Sequence, residues 1–292
     1  MPELPEVETI VRDLRKRVLK RTFVDVWTDW EKTIKKPNNF KEFKGGIEGR
    51  KIIDIRRRAK NILFDLSGNK IMLIHQKMTG HLLLGKWKSE NGKWVSQVKG
   101  PLRDDPMNRF IHLIFWLDSG IMLALCDLRK FAKVELWEKE ELENSKEFQA
   151  LGPEPLEKSF GLEEFKKVLK GKKGKIKKVL MEPTVIAGIG NIYSDEILWK
   201  ARIHPLRGVP SLSGAELKKI YLAIKEILPL AIRLGGESIS DYRRPSGEKG
   251  YYDKARKVYR KEGQECPACG DPIERIKIGG RSAHFCPSCQ RL

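Results

Sequence analysis

The first residues of the chain, MPELPEVETI, combine an imino acid with several carboxylates. Cells usually remove an initiator methionine that precedes a small residue, which would leave the secondary amine of Pro2 at the N-terminus. An α-amine has a pKa of about 7.7 to 8.0, against about 10.4 for lysine, so more of it is neutral and nucleophilic near neutral pH. Such an amine can attack C1′ of a sugar and form an iminium intermediate, although most N-terminal prolines are inert.

Two acids follow Pro2 in a segment that predicts a helix. If Pro5 lies in the first turn, one apolar stripe comprises Val7, Ile10, Val11, Leu14 and Val18. Extending the helix backwards at about 100° per residue puts Glu3 on the side of this stripe and Glu6 near its edge. A carboxyl group held away from water can act as a proton donor, so Glu3 is predicted to be a general acid.

Four cysteines near the end of the chain have the spacing of a metal site. Cys266, Cys269, Cys286 and Cys289 form the pattern C-x2-C-x16-C-x2-C. Two pairs of thiolates on tight turns can close a tetrahedron around one Zn²⁺, whereas disulfides would need an oxidising compartment. Because four sulfurs fill the coordination sphere, the predicted metal is structural. The fifth cysteine, Cys126, ends an apolar run and is predicted to pack in a core.

Two further segments could bind phosphate. Between the cysteine pairs, two short strands joined at Gly279 and Gly280 would place Arg281 near the hairpin tip, where its guanidinium could hold a phosphate or face solvent. In VIAGIGNIYSDEIL, a glycine-rich turn precedes Asn191 at a predicted helix start. Backbone amides at such a start bind phosphate, although glycines also serve plain turns between helices.

The composition narrows the partners of these groups. Lys and Arg number 58 against 39 Asp and Glu, a net charge of +19, which attracts polyanions and most commonly nucleic acid. The richest apolar stretch is interrupted by Asp118, Ser119 and Gly120 before it reaches the length of a membrane span. No basic start precedes an apolar run. The sequence therefore predicts a cytoplasmic, nucleoid-associated protein with no membrane partner.

The elements that must position these residues change character along the chain. From residue 23 to about 137, short apolar runs separated by turn residues predict an antiparallel sandwich or barrel. GPEP at 152–155 breaks this pattern, and apolar spacings of three and four then predict helices as far as Gly236. The polar stretch from about 237 to 265 is typical of a functional or disordered loop. The fold class is therefore α+β with several domains.

Several motifs together resemble one known family. They are MPELPEVET, RRAKNILF, HQKMTGHL, DLRKF, IKKVLMEPTVIAGIGNIYSDEIL, GGESISDY and the four-cysteine finger. In combination they resemble the formamidopyrimidine-DNA glycosylases, which are bifunctional glycosylases and abasic-site lyases that excise oxidised purines. Within that superfamily the endonuclease VIII branch typically has Gly at the fourth position, so Leu4 favours the oxidised-purine branch.

The resemblance implies an architecture and a partner. Its four segments would be a catalytic β-sandwich with a flanking helix (1–150), a helix-two-turn-helix domain (155–236), a lesion-recognition loop (237–257) and a zinc-finger hairpin (258–292). The protein would act as a monomer on double-stranded DNA that contains an oxidised base or an abasic site.

The resemblance also implies roles for single residues. Pro2 would be the nucleophile, Glu3 the acid, and Glu6 a supporting group that also contacts DNA. Lys60 would hold a phosphate beside the lesion and assist elimination. The residues implied to contact DNA elsewhere are Met78, Arg129 and Phe131, which fill the gap left by the extruded base, and Lys177, Asn191 and Arg281, which hold phosphates. Arg281 would also belong to the catalytic set, and Arg129 would face the orphaned cytosine.

The chain departs from the family pattern at a few positions. Gln76 and Lys77 stand where Leu and Gly are usual, Ala132 replaces a common glycine, and Glu182-Pro183 replaces an acidic-amide pair. Two alternative functions remain. The protein could bind damaged DNA through its zinc finger without processing it, or it could prefer oxidised pyrimidines.

Overall fold

The computed structural model describes residues 1–238 and 242–292, in which the helices and strands follow in chain order. The helices are α1 (Leu4–Val18), α2 (Phe40–Ile47), α3 (Lys139–Glu143), α4 (Lys146–Gln149), α5 (Leu162–Leu169), α6 (Ile176–Leu180), α7 (Asn191–Ala201), α8 (Gly214–Arg233) and α9 (Tyr252–Ala255). The strands are β1 (Phe23–Thr28), β2 (Ile34–Lys36), β3 (Ile52–Arg58), β4 (Asn61–Leu66), β5 (Lys70–His75), β6 (Gly80–Gly85), β7 (Trp87–Glu90), β8 (Lys93–Ser96), β9 (Ile111–Leu117), β10 (Met122–Asp127), β11 (Lys133–Glu138), β12 (Glu274–Ile278) and β13 (Arg281–Phe285). No helix in the described part of the chain is both long and apolar enough to cross a membrane.

The chain divides into two compact units. The sandwich unit comprises Met1–Gln149 and Gly235–Tyr251, and the helical-zinc unit comprises Ala150–Leu234 and Tyr252–Leu292. Most of the predicted loop 237–257 therefore folds with the sandwich unit, and residues 239–241 of that loop lie outside the described residues. The four-segment division remains a prediction.

Two sheets form the sandwich unit. Their strand orders are β1-β9-β10-β6 and β2-β11-β5-β4-β3, and all neighbouring strands are antiparallel except the pair β2 and β11. Phe23 lies in the core between the sheets, with its ring centroid 5.4 Å from that of Phe115 and 6.4 Å from that of Phe64. This confirms the predicted α+β fold and settles the choice between barrel and sandwich in favour of the sandwich.

Helix α1 packs on the same core through the predicted stripe, all five members of which are buried: Val7, Ile10, Val11, Leu14 and Val18. The assumption that the helix extends back to Glu3 is wrong. Glu3 is the N-cap residue, with an extended backbone (φ −103°, ψ −171°), and the helix begins at Leu4. Glu3 is nevertheless only 3% exposed, because the chain before the helix also turns into the protein.

The helical-zinc unit is built around two packed helices and a hairpin. Helix α8 begins with a capping box in which Ser213 and Glu216 each accept the other's backbone N–H, and it packs against α7. Strands β12 and β13 pair from Glu274↔Phe285 to Ile278↔Arg281. The hairpin predicted between the cysteine pairs is therefore present, with Gly279 and Gly280 at its turn, both at positive φ.

Candidate active site and zinc centre

The start of the chain is an interior feature of the sandwich unit. Pro2 is buried, and Glu6 is only 1% exposed. One carboxylate oxygen of Glu6 accepts the backbone N–H of Glu3 at 2.8 Å, and the other accepts the N–H of Glu237 at 2.8 Å. Because both oxygens of Glu6 hold backbone groups, this side chain fixes the position of Glu3 and of the loop that starts at Glu237.

Close packing against Glu6 requires a glycine at position 236. Gly236 has a φ of +85°, and a Cβ added there would come within 2.9 Å of a carboxylate oxygen of Glu6. Only glycine combines this backbone conformation with so close an approach. The pair of residues therefore locks the loop start against helix α1.

A cavity of about 400 Å³ opens beside the N-terminus. Its lining residues are Met1, Lys35, Lys77, Met78, Lys130 and Phe131. Met78 is 46% exposed and Phe131 is 53% exposed, which is unusual for large apolar side chains. Exposed apolar groups surrounded by ammonium groups suit unstacked bases and the phosphates that accompany them.

One buried carboxylate brings the predicted gap-filling residues together. Asp127, at the end of β10, accepts the Thr79 hydroxyl at 2.5 Å, the Arg129 N–H at 3.2 Å and the Ala132 N–H at 2.7 Å. It thereby joins the loop before β6, which carries Met78, to the loop after β10. Within the second loop the Arg129 guanidinium lies 4.6 Å from the centre of the Phe131 ring.

Lys60 lies in the tight turn between β3 and β4, near His75 at the end of β5. Burial, followed by the charges of Lys77, Lys133 and Lys60, lowers the pKa of His75 from 6.5 to about 3. Its Nδ1 accepts the N–H of Lys77 at 2.9 Å, so the neutral ring carries its hydrogen on Nε2.

A neutral donor among three ammonium groups is a suitable binding site for an anion. No role was predicted for His75 from the sequence, although it lies in the motif HQKMTGHL that was used to locate Met78. The signal available was a titratable ring two residues before Lys77. Only the structure shows that the residue is half-buried and which tautomer its ring adopts.

Gln76 is an anomaly in the same loop. Its side chain is 2% exposed, yet neither amide atom has a hydrogen-bond partner among the described residues. The next residue, Lys77, adopts a positive φ of 52°. The departure from the family pattern at position 76 therefore buries a polar group without a partner among the described residues.

In the helical-zinc unit, Lys177 is a buried residue. Its side chain is 1% exposed, and the ammonium lies 2.5 Å from Asp195, 3.1 Å from the Ser194 hydroxyl and 3.4 Å from the carbonyl of Asn191. The phosphate contact of Lys177 stays a prediction, and in this structure its ammonium is paired with Asp195. The lysine supports the first turn of α7, where Asn191 follows Gly190.

Two consecutive acids of α7 hold the chain around the finger, and neither was predicted from the sequence. Asp195 accepts the backbone N–H of His284 at 2.9 Å and its ring Nδ1–H at 3.0 Å. Glu196 accepts the backbone N–H groups of residues 257–259 at 2.8 to 2.9 Å. Burial raises the pKa of Glu196, while these three N–H groups oppose the shift. No local pattern reveals such contacts, since the partners lie at least 61 residues away.

The four predicted zinc ligands converge. All four sulfurs lie within 4.8 Å of one another, with Cys266 4.0 Å from Cys289 and Cys269 3.4 Å from Cys286. A tetrahedral site with Zn–S bonds of about 2.3 Å separates its sulfurs by about 3.8 Å, so these residues fit one Zn²⁺. Burial raises the pKa of Cys266, but hydrogen bonds, above all from the Trp199 indole, lower it to about 7, which favours the thiolate form that binds metal.

Arg281 begins β13 and is exposed at the hairpin tip. At the same tip, the side chain of Lys178 lies 3.9 Å from the place a Cβ on Gly279 would occupy. The hairpin tip therefore presents Arg281 to solvent, and the exposed Lys178 of α6 lies beside the glycine turn, so two cations are available to a phosphate there.

Family models match three segments of the chain. Residues 1–134 match the formamidopyrimidine-DNA glycosylase N-terminal domain, residues 151–243 match the H2TH domain of the same enzyme, and residues 263–292 match the zinc finger found in FPG and IleRS. The chain is 38% identical over 294 residues to the formamidopyrimidine-DNA glycosylase of Pelotomaculum thermopropionicum, and 38% identical over 291 residues to that of Streptococcus thermophilus. In both comparisons the alignment covers 100% of each chain.

The chain belongs to the formamidopyrimidine-DNA glycosylase family.

Solved structures of formamidopyrimidine-DNA glycosylases from Lactococcus lactis have the same fold. A point variant of that enzyme bound to DNA containing Fapy-dG superposes with a TM-score of 0.87 at 33% identity, covering 100% of both chains. A complex with DNA containing an abasic site gives a TM-score of 0.86 at 32% identity, covering 99% of this chain and 100% of the other. The predicted family, fold and structural zinc are therefore confirmed, and the four cysteines constitute the zinc finger of a DNA repair glycosylase.

Proposed function

We propose that the protein excises oxidised purines from double-stranded DNA and then cleaves the resulting abasic site. The observation that carries this proposal is the position of the N-terminus. Met1 lines the cavity that also contains exposed Met78 and Phe131, and Glu3 is buried beside Pro2. Removal of Met1 would leave the Pro2 amine at the place where a nucleotide extruded from a duplex could enter.

The reaction begins with attack of the neutral Pro2 nitrogen on C1′ of the damaged nucleotide. The bond from C1′ to the base breaks, and the departing base takes the electron pair. Two protons are needed, one for the departing base and one for the ring oxygen O4′; Glu3 donates one, and the Pro2 nitrogen releases the other. The nitrogen lone pair then breaks the bond from C1′ to O4′, which gives an iminium between Pro2 and C1′ and a free hydroxyl at C4′. Glu6 contributes by fixing the backbone of Glu3 at 2.8 Å.

Elimination then cleaves the strand. Loss of a proton from C2′ expels the 3′ phosphate, and a second elimination expels the 5′ phosphate. Lys60 and the neutral ring of His75 hold a phosphate beside the lesion, since both lie at the same end of the sheet. The structural zinc organises the hairpin that carries Arg281 and takes no part in the chemical steps.

The opposite strand is supported by the remaining residues. Met78 and Phe131 fill the gap left by extrusion, and Arg129 offers donors to the orphaned base. Asn191 at the start of α7 and Arg281 at the hairpin tip bind backbone phosphates, for which the net charge of +19 provides the long-range attraction. With this substrate, the protein would act at the nucleoid.

An incision assay on four duplexes tests this proposal. We expect cleavage of duplexes that contain 8-oxoguanine, formamidopyrimidine or an abasic site, and weaker cleavage of thymine glycol. The pyrimidine lesion is included because a Lactococcus lactis relative, 32% identical to this chain, has been solved with DNA containing an oxidised pyrimidine. Binding to all four duplexes without cleavage would establish a non-catalytic DNA-binding protein instead.

Borohydride trapping tests the nucleophile. Borohydride reduces an iminium to a stable amine, so the wild-type protein should form a covalent complex with 8-oxoguanine opposite cytosine. A Pro2→Gly variant that traps equally well through a lysine would contradict the assignment of Pro2. Intact-mass spectrometry must also show loss of Met1, because a retained methionine leaves Pro2 in a peptide bond.

A further inference from the structure

One face of helix α1, the helix that follows Pro2 and Glu3, also contacts the loop that starts at Glu237. Glu6 and Asp13 are seven residues apart, so both side chains lie on the same face, separated by two turns. Glu6 accepts the N–H of Glu237, and its carbonyl accepts the Tyr242 hydroxyl at 3.4 Å. Asp13 accepts two hydrogen bonds from the Arg244 guanidinium, from Nε at 2.8 Å and from Nη2 at 2.9 Å. The second contact is a two-point ion pair, the geometry that best fixes orientation.

Arg244 is itself the first residue of a tight turn. Its N–H donates to the carbonyl of Glu248 at 2.9 Å, and its own carbonyl accepts the N–H of Gly247 at 2.8 Å. The carbonyl of the next residue, Pro245, accepts the N–H of Leu84 in strand β6 at 2.8 Å. The turn is therefore attached on one side to the helix that follows Pro2 and Glu3, and on the other to the strand that follows Met78.

The remaining polar contacts close the base of this loop. The Ser238 hydroxyl accepts the N–H of Gly250 at 2.7 Å and donates to the carbonyl of Tyr242 at 3.1 Å. Tyr242 is 5% exposed and packs in the main core. Arg244 is the charged residue of the loop whose loss would free the turn from α1, because Arg243 pairs with Asp105 outside the helix.

We propose that Arg244 is a positioning residue for base excision, which fixes the loop on helix α1 through Asp13. This rests on the proposed function and on the role in lesion recognition that the resemblance implies for the loop 237–257. When the damaged base is still attached to its sugar, the loop must lie at a fixed distance from Pro2 and Glu3 to hold that base. A preformed abasic site has no base beneath the loop, so its cleavage does not depend on the ion pair.

The test compares two reactions of each variant under single-turnover conditions. Arg244→Gln should lower the rate of formamidopyrimidine excision about tenfold and change the cleavage of a preformed abasic duplex less than about twofold. Asp13→Asn should do the same. The double variant should be no slower than either single variant, because both changes remove one interaction.

A matched control exists in the helical-zinc unit. Arg207 also forms a two-point ion pair, with Glu216 at 3.0 and 3.2 Å, and its exposure is similar to that of Arg244. Arg207→Gln should leave the ratio of the two rates unchanged. The proposal is overturned if Arg244→Gln and Asp13→Asn slow both reactions equally, or slow neither.

Failure of the proposed function has a different signature. If the wild-type protein excises no base but cleaves abasic duplexes, the excision step itself is wrong, and Arg244 loses its proposed role. Melting temperatures of all variants show whether a loss of rate reflects unfolding. Should Arg244→Gln prove unstable, Arg244→Lys keeps the charge but loses the two-point geometry, and it should retain part of the excision rate and all of the abasic-site cleavage.

Discussion

Each of the two units contains a buried aspartate that joins distant segments, and the two aspartates accept hydrogen bonds from different kinds of donor. Asp127 in the sandwich unit accepts a hydroxyl and two backbone N–H groups from the loops on either side of it. Asp195 in the helical-zinc unit accepts hydrogen bonds from the ammonium of Lys177 and from the ring and backbone N–H groups of His284. Each carboxylate is 1 to 2% exposed and joins segments that are distant in sequence.

The difference decides which side chains remain available to a ligand. A hydroxyl and two backbone N–H groups satisfy Asp127, so the cation of the same loop, Arg129, stays exposed. Asp195 is satisfied by a lysine, which is thereby removed from the surface. A charged residue in a binding motif thus contacts the ligand only if no buried group of opposite charge claims it first.

The largest effect is expected at Lys177. Lys177→Met should lower the free energy of unfolding by about 3 to 5 kcal/mol, because it leaves the carboxylate of Asp195 buried without its cation. Denaturant titration measures this loss. Lys178→Met is the matched control, since it removes the same charge from the same helix at an exposed position and should change stability by less than about 0.5 kcal/mol.

A double variant distinguishes a structural role of Lys177 from a role in DNA binding. Adding Asp195→Asn to Lys177→Met should recover part of the stability, because the buried charge is removed with its partner. If Lys177→Met were as stable as the wild type but bound DNA with a smaller salt dependence, the lysine would be a phosphate ligand after all.

The same contrast shows how far sequence alone reaches. The stripe of α1, the hairpin around Gly279 and the four-cysteine spacing are local patterns, in which apolar periodicity or ligand spacing determines the outcome within a few residues. The partner of Lys177 is 18 residues away, and the contact between Asp195 and His284 spans 89 residues. Polar pairing of this kind depends on the tertiary fold, so neither the local pattern nor the resemblance revealed the pairing of Lys177 with Asp195.

Glu3 illustrates a second limit. Its burial was predicted from a helical phase that does not exist at residue 3, and the burial arises from the path of the extended backbone. Likewise, the pairing of Asp13 with Arg244 spans 231 residues. Residue types indicated the chemistry of the candidate site, while the groups that position it came only from the structure.

Asp127 should behave differently from Lys177. Asp127→Asn should cost about 2 to 3 kcal/mol of stability, because an amide cannot accept from three donors as a carboxylate does. Asp127→Asn should also weaken DNA binding more than Lys177→Met does, since the loops that carry Met78 and Arg129 lose their common support. Asp118→Asn is the control, an exposed aspartate that accepts one backbone N–H from Thr22. Fluorescence anisotropy with a lesion-containing duplex measures the affinity, and equal losses for both variants would contradict the role of Asp127.

His75 provides a pH dependence within the sandwich unit. Its pKa is lowered to about 3 in the folded protein, so the unfolded chain binds a proton below about pH 6.5 while the folded protein does not. Stability must therefore fall as the pH decreases through this range, by at most about 2 kcal/mol between pH 7 and 5. His75→Gln should remove this part of the slope in denaturant titrations at several pH values. An unchanged slope would show that the ring is protonated in the folded protein.

The smallest expected effect tests whether the sandwich unit satisfies all of its buried polar groups. Gln76 has the burial of Asp127 but not its donors and acceptors, because both of its amide atoms lack a partner among the described residues. Gln76→Leu keeps a similar volume and removes the unpaired amide, so it should raise the free energy of unfolding by about 1 to 2 kcal/mol. Gln97→Leu, at an exposed position, is the control and should leave stability unchanged. Gln76→Leu could instead destabilise the protein while leaving the loop intact. The amide would then have a partner that only the solvated or DNA-bound protein supplies. In that case the contrast between a satisfied Asp127 and an unsatisfied Gln76 would not hold.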